Sequence, residues 1–281
     1  MTEFAKFVDA FTPAEVAEKV KTLGVSKANM SFLPLLVLSM MAGAFISFGA
    51  MYYTVAMTNP TEAYGAAKLL GGLAFSLGFI LVVIAGGELF TGNNLIVMAL
   101  AKRQITLTRL LKNWSLVYIG NGIGAFITVY LVFASGFLDG AHHAVGATAL
   151  KVGLAKVDLT TSEAFVRGIF CNALVCLASW MVYASRTVMD KVFAVIFPIS
   201  AFVAMGFEHC IANMFMIPLA MVASLSPEIV AASGVSADAM QNLNLSGFLA
   251  NLIPVTLGNI FGGTIMVGMS LYVVYLYGRD D

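Results

Sequence analysis

Two neighbouring ionisable residues, Glu208 and His209, stand in the stretch GFEHCIANM, inside one of the most apolar parts of the chain. No other Asp, Glu, Lys, Arg or His occurs between Val192 and Pro227. If this segment crosses a bilayer, each ionisable group near its centre costs about 2.5 to 3.5 kcal/mol on insertion scales. Ionisable residues at membrane depth usually serve a function and have a partner or a watery cavity. The stretch therefore predicts a functional site inside the membrane.

A carboxylate beside an imidazole could also act as an acid/base pair in an intramembrane enzyme. The sequence offers this pair no nucleophile with an orienting partner, no HExxH motif and no cluster of metal ligands. Cys171, Cys176 and Cys210 lie in apolar runs without the spacing of a zinc site. We therefore expect no catalysis, metal or cofactor; an enzyme and a solute-sensing or scaffold protein are the alternatives from other classes.

The composition assigns the whole chain to a membrane. Of its 281 residues, 60% are hydrophobic and 11% are charged, and the mean hydropathy is +0.91. A soluble core could not hide so much apolar surface. The formal net charge of zero and the absence of a long Lys/Arg run argue against nucleic-acid binding.

Apolar stretches of about 20 residues are needed to cross the hydrocarbon. Six regions of the sequence qualify: 32–57, 69–101, 113–135, 164–185, 192–223 and 248–276. Eleven of the fifteen Lys and Arg fall in the N-terminal segment, the loops 102–112 and 186–191, and the C-terminal tail. By the positive-inside rule, both termini are cytoplasmic.

Residues 1–31 are too polar for a signal peptide and predict a cytoplasmic amphipathic helix before the membrane domain of residues 32–277. In the string TPAE, Thr12 is the expected N-cap, Pro13 the first helical residue and Glu15 the partner in a capping box. Val16, Val20 and Leu23 then share one face. This helix could anchor the chain to the membrane surface or form a flap over a pore mouth.

Polar residues break the second and fifth apolar regions near their middles. The breaks GGELFTGNN and GFEHCIANM each place a Glu five residues before an Asn: Glu88 with Asn93, and Glu208 with Asn213. After each break comes a similar helix, in which Asn113, Gly120, Asn121 and Gly124 match Asn251, Gly258, Asn259 and Gly262. This pattern predicts one duplicated unit of three spans, over about 32–135 and 164–276.

An odd number of spans per unit forces the two copies into opposite orientations, so we expect an all-α membrane fold of inverted repeats. Non-helical backbone at membrane depth survives only where it is buried in protein or lines a watery cavity, and the two breaks should meet near the midplane. The paired GxxxG glycines predict close helix packing. The four matched asparagines are expected to bond helices together rather than touch a solute.

The strings GELFTGNN, KNWSLVYIGN, GFEHCIANMFMIP and NLIPVTLGN strongly resemble the formate/nitrite transporter family, and in the second half its formate channels. The resemblance covers nearly all of residues 30–277. It implies an aquaporin-like, six-helix protomer assembled as a homopentamer in the inner membrane of a bacterium. Each protomer would pass small monovalent anions such as formate, nitrite or hydrosulfide, in either direction.

Carried over residue by residue, the family pattern implies a substrate pathway in this chain. Its members are His209 at the centre, Thr91, the apolar constrictions Phe75, Phe79 and Phe202, and the polar positions Asn172 and Lys156. Phe79 stands where formate channels commonly have leucine, and FTGNN replaces their FTS-type string. Both departures leave nitrite and hydrosulfide open as substrates, and coupling to protons at low pH is open as well.

Glu208 is expected to differ in role from His209, because adjacent residues of a helix point about 100° apart. We expect His209 to face the pore. Glu208, like Glu88, is expected to face protein and to satisfy backbone NH groups freed by the breaks, with Asn93 and Asn213 as structural support. The alternative is that Glu208 and His209 neutralise one another.

Overall fold

The computed structural model describes residues 9–279, and the regular elements in this part of the chain are all helices. In chain order the longer ones are α1 Pro13–Ala28, α2 Phe32–Ala56, α3 Tyr64–Gly86, α4 Gly92–Ala101, α5 Leu107–Ala134, α6 Ala144–Val157, α7 Thr161–Ala184, α8 Val188–Ala204, α9 Cys210–Ala223, α10 Pro227–Ser233 and α11 Leu245–Tyr275. Two single-turn 3-10 helices, Phe137–Asp139 and Asp238–Met240, lie in the loops. The last turn of α3 and the segment Gly262–Met269 of α11 are π-helical. Residues 1–8 of the predicted cytoplasmic segment lie outside the described residues.

The six predicted spans are present, and the second and fifth are broken as the polar residues predicted. Helices α2, α3, α5, α7 and α11 are each long and apolar enough to cross a bilayer. The second span breaks between α3 and α4. The fifth consists of α8 and α9, of 17 and 14 residues, which are too short to cross singly. The architecture is the six-span, aquaporin-like fold of two inverted repeats.

Helix α1 starts at the predicted capping box. The Thr12 hydroxyl accepts from the Glu15 backbone N–H, and the Glu15 carboxylate accepts from that of Thr12. Val16 and Val20 are buried against residues of α4, α7 and α11. Because its apolar face is covered by protein, α1 is packed onto the bundle along its length.

The predicted repeat is visible as pairs of equivalent contacts. At the first break, the Glu88 N–H donates to the Leu38 carbonyl of α2 over 3.2 Å; at the second, the Glu208 N–H donates to the Arg167 carbonyl of α7 over 3.3 Å. Tyr118 of α5 and Thr256 of α11, which are equivalent positions, meet through their hydroxyls at 2.8 Å. A contact between equivalent positions places the pseudo-two-fold axis between α5 and α11.

The repeat also includes a helix that the sequence pattern did not reveal. Residues 144–157, which lie between the third and fourth predicted spans, form α6. Helix α6 precedes α7 as α1 precedes α2, and Lys156 occupies in α6 the place of Lys27 in α1. Each half therefore consists of a short amphipathic helix followed by three spans.

The GxxxG glycines allow the close helix approach that the sequence predicted. A Cβ atom on Gly124 would collide with the Met40 carbonyl oxygen of α2, and one on Gly262 would collide with that of Ile169 in α7. Any side chain at these two positions would push α5 from α2, or α11 from α7.

Candidate functional site

Two cavities enter the bundle from opposite ends. The upper cavity, of about 460 Å³, lies on the side of α6 and reaches down to Phe75, Phe202 and His209. The lower cavity, of about 320 Å³, lies on the side of α1 and reaches up to Phe79 and Leu89, among other residues. The two broken spans separate them, so the cavities form the two halves of one path across the bundle.

Aromatic rings close the floor of the upper cavity. Phe75 and Phe202 pack edge to face with their ring centroids 5.8 Å apart, and Phe202 stacks on the His209 imidazole at 6.0 Å. Both phenylalanines are buried, as is Phe79 at the roof of the lower cavity. The three predicted phenylalanines therefore lie at the junction of the two cavities.

His209 also serves as the N-cap of α9, because the backbone of the second break places its ring over the start of that helix. Its Nδ1 accepts a hydrogen bond from the Ala212 backbone N–H over 3.2 Å, and its Nε2 lies 3.0 Å from the Thr91 Oγ1. Because Nδ1 is an acceptor here, the proton of the neutral ring is on Nε2, which donates to Thr91. The Thr91 hydroxyl hydrogen is then free to be donated elsewhere. Thr91, from the first break, is buried and lines neither cavity.

Lys156 and Glu208 form an ion pair in the wall of the upper cavity, with Nζ and Oε1 2.9 Å apart. The Asn213 amide donates to the other carboxylate oxygen over 2.6 Å and to the Asn251 side-chain oxygen over 2.7 Å. The Asn251 amide in turn donates a hydrogen bond to the Lys156 backbone carbonyl. This ring of bonds ties α6 to both the second break and α11.

The lower cavity has the same arrangement, centred on Lys27, which was not predicted as a site residue. Lys27 Nζ lies 2.9 Å from Glu88 Oε1, and Asn93 donates to Glu88 Oε2 over 2.7 Å. The Asn113 amide donates to the Lys27 carbonyl over 3.0 Å. Lys27 precedes the N-cap of α2 by the same interval as Lys156 precedes that of α7, which is the sequence signal that would have found it.

The expectation that the two glutamates satisfy freed backbone NH groups is wrong. Asn121 and Asn259 satisfy them instead, because their side-chain oxygens accept from the Phe90 N–H and the Cys210 N–H, each over 2.9 Å. Their amides also donate to the Glu88 and Glu208 carbonyls, each over 2.9 Å. An amide has both a donor and an acceptor, whereas a carboxylate only accepts and cannot bond both sides of a broken backbone.

The expected division between Glu208 and His209 is also wrong, because both line the upper cavity. The expectation assumed helical geometry. His209 has φ −110° and ψ 114°, so the break is extended at this residue and the helical angle between neighbours does not apply. Glu208 pairs with Lys156 and not with His209, so Glu208 and His209 do not neutralise one another.

Asn172 does not reach either cavity. Its amide donates to the Asn94 side-chain oxygen over 2.8 Å and to the Asn259 carbonyl over 2.7 Å, and the residue is fully buried between helices. Its place on the anion path therefore stays a prediction, and its contacts support helix packing. Leu89, which was not predicted, occupies the position in the first break that His209 occupies in the second, and it lines the lower cavity.

Basic groups crowd the lower cavity beyond Lys27. Lys19 and Lys191 line it. Partial burial lowers the pKa of Lys19, and the nearby Lys191 and Arg186 lower it further. Three further cations, besides Lys156, line the upper cavity, so both cavities present a positive potential.

Comparison with known proteins gives one consistent result. The sequence model of the formate/nitrite transporter family matches residues 14–273. The chain is 44% identical over 276 residues to the formate channel FocA of Escherichia coli strain K12, covering 97% of each chain. It is 42% identical to FocA of Haemophilus influenzae, covering 92% of this chain and 93% of that one.

Solved structures agree with these sequence matches. The structure described as a pentameric formate channel with formate bound superposes with a TM-score of 0.81 at 43% identity, covering 86% of this chain and 97% of that chain. A second structure, described as an FNT family ion channel, gives 0.78 at 26% identity, covering 92% of this chain and 98% of that one.

Proposed function

The chain belongs to the formate/nitrite transporter family, and on this premise we propose that it is a channel for small monovalent anions with formate as its main substrate. It is a multi-pass protein of the bacterial inner membrane and a transport protein rather than an enzyme. Its relatives are named formate channels, and a similar solved channel binds formate. The observation within this chain that carries the proposal is the pair of cation-lined cavities on opposite sides of the two breaks, with the Thr91–His209 contact between the breaks.

An anion is concentrated in either cavity by the lining cations outside the two ion pairs, such as Lys151 in the upper cavity and Lys191 in the lower one. Lys156 and Lys27 lie in the cavity walls, and each is held in place by a carboxylate at 2.9 Å. Because the carboxylates keep each ion pair neutral overall, an anion is not trapped by an isolated charge at these two positions. A channel needs sites that favour ion access yet release the ion readily.

At the junction an anion must shed water, because Phe75, Phe79 and Phe202 offer no hydrogen bonds. Donors beyond the phenyl rings replace that water. The Thr91 hydroxyl is oriented by the His209 Nε2–H and can donate to an anion oxygen, while its own acceptor site is occupied by the imidazole. The junction then selects a substrate that is small and that can accept one or two hydrogen bonds.

A proton-linked version of this pathway uses His209. The ring can take up a second proton only at Nδ1, which now caps α9. Protonation therefore requires the cap to open, coupling the charge of the ring to the geometry of the second break. This gives a physical route to coupling at low pH, with the passive channel as the alternative.

Nitrite and hydrosulfide are the competing substrates, because Phe79 replaces the leucine common in formate channels and lines the lower cavity. An intramembrane enzyme is disfavoured on geometry, since Glu208 is bound to Lys156 rather than to His209. We propose further that the chain forms a homopentamer, with the similar pentameric channel as support.

The proposed organisation has two parts: residues 1–31 as a cytoplasmic segment and residues 32–277 as the channel domain. The distribution of Lys and Arg supports cytoplasmic termini. Because α1 contributes Lys19, Leu23 and Lys27 to the lower cavity, its position bears directly on access to the pore. This supports the flap over the simple surface anchor.

Flux measurements in proteoliposomes test the proposal. Formate, nitrite, hydrosulfide, acetate and chloride would be compared at acid and neutral pH, with chemical analysis of the recovered solute. We expect formate to cross unaltered and faster than acetate and chloride. Binding without flux would favour a sensor, and recovery of an altered solute would favour an enzyme.

A further inference from the structure

The upper cavity holds three positive charges that its own carboxylate does not neutralise. Lys68, Lys151 and Arg167 line this cavity with Lys156, and Glu208 is the carboxylate of the lining. Since Glu208 is bound to Lys156 at 2.9 Å, the other three cations have no anion inside the cavity.

The neighbours of these three cations leave them able to bind a ligand. Lys68 lies 5.7 Å from the Tyr64 ring centroid, and Arg167 meets Glu163 at 3.9 Å, beyond hydrogen-bond distance. The Glu163 carboxylate is already occupied as the N-terminal cap partner of Thr160. Within residues 9–279, Lys151 has no ion pair.

The acidic groups of the same face do not offset this charge within the cavity. They are exposed and absent from its lining: Glu62, Asp139, Asp158, Glu163, Glu228 and Asp238. Positive charge is therefore concentrated in a concave site with low-dielectric walls, where the field is focused.

The cavity is also larger than a formate path needs. A water molecule occupies about 30 Å³ of liquid, and the cavity measures about 460 Å³. It can hold an organic anion of several carbons with part of its hydration shell. Below it, Phe75 and Phe202 pack together at 5.8 Å and leave an apolar floor.

We propose that the upper cavity is a binding site for small dicarboxylates and related divalent oxyanions, which block the channel from this side. The inference rests on the proposed function. The Coulomb attraction of these three cations for a dianion is about twice that for a monoanion, which strengthens binding. The dianion cannot follow formate through the floor, because the desolvation cost of an ion grows with the square of its charge.

The test is block of formate flux by malonate, with propionate as the probe of equal carbon number and single charge. Each would be added to the upper-cavity side of a planar bilayer containing the channel. We expect Lys151→Gln or Lys68→Gln to raise the malonate concentration for half-inhibition about tenfold, and the propionate concentration only about threefold. Removing one lysine charge costs the dianion about twice the Coulomb energy that it costs the monoanion, so the fold-change for malonate is about the square of that for propionate.

Lys191→Gln is the matched control, because it removes a lysine from the lower cavity. It should leave malonate block from the upper side unchanged. Lys68 and Lys151 make no tight ion pair, so their variants should fold, which size-exclusion chromatography checks.

Three results would overturn the proposal: no inhibition by malonate at any concentration that leaves the bilayer intact, passage of malonate itself, or block that is unchanged in both lysine variants. Calorimetry of malonate binding to the purified channel separates this site from the proposed function. A parent that fails to pass formate yet binds malonate through Lys68 and Lys151 would refute the channel and keep the binding site.

Discussion

Replacement of His209 tests the junction most directly, since its two ring nitrogens hold two separate contacts. His209→Asn keeps the cap of α9, because asparagine is among the best N-cap residues, but it loses the 3.0 Å contact with Thr91. That loss costs about 0.5 to 1.5 kcal/mol. His209→Leu removes both contacts and leaves the buried Ala212 N–H and the Thr91 hydroxyl unpaired, at about 1 to 3 kcal/mol each.

We therefore expect the melting temperature in detergent to fall in the order parent, Asn variant, Leu variant. The functional consequence is separate from stability: asparagine donates a hydrogen bond but does not titrate, so flux in the Asn variant should lose the pH dependence that His209 contributes. The assay is formate, nitrite and hydrosulfide flux into proteoliposomes at acid and neutral pH. If the Asn variant transports every anion like the parent at both pH values, His209 is not the proton-handling centre of the pore.

Three further predictions concern the walls and mouths of the pore. Phe79→Leu should change the relative fluxes of formate, nitrite and hydrosulfide; unchanged ratios would mean that Phe79 does not select. Lys27→Met strands the buried Glu88 carboxylate and should destabilise the protein by about 3 to 5 kcal/mol, with partial recovery in the Lys27→Met/Glu88→Gln double variant; thermal melting shows whether recovery occurs. Deletion of residues 1–24 should alter the pH dependence of flux without preventing assembly, and an unchanged profile would reduce α1 to an anchor.

Much of the fold could be predicted because each broken span carries its own polar landmarks. A glutamate and an asparagine at the same spacing in both breaks, followed by matched asparagines and glycines, specify the inverted repeat without any knowledge of packing. Asn121 and Asn259 show why the landmarks recur: each completes the hydrogen bonds of a backbone that has left the helix. The asparagines that the broken backbone needs for its hydrogen bonds are thus the same residues that reveal the repeat in the sequence.

Helix α6 and Lys27 escaped prediction for a different reason. The sequence of α6, AVGATALKVGLAKV, contains two glycines and is too short to register as a span. Its tight contact with α9 fixes it as a helix: a Cβ atom on Gly153 would collide with Ala220. Without α6 as a reference, the interval from Lys27 to the N-cap of α2 has no counterpart to be compared with, and Lys27 reads as one of several lysines on a surface helix.

The least predictable feature is the asymmetry at the centre of a symmetric scaffold. In the two breaks, Leu89 is equivalent to His209 and Thr91 is equivalent to Ile211. The His209–Thr91 contact takes one residue from each break. The positions related to it by the repeat are occupied by Leu89 and Ile211, which are both apolar. An inverted repeat that kept identical residues would present two histidines and two threonines around the pseudo-two-fold axis. Confining the polar pair to one side leaves a single line of hydrogen-bond donors beside an apolar wall, which an anion can follow without being held from both sides.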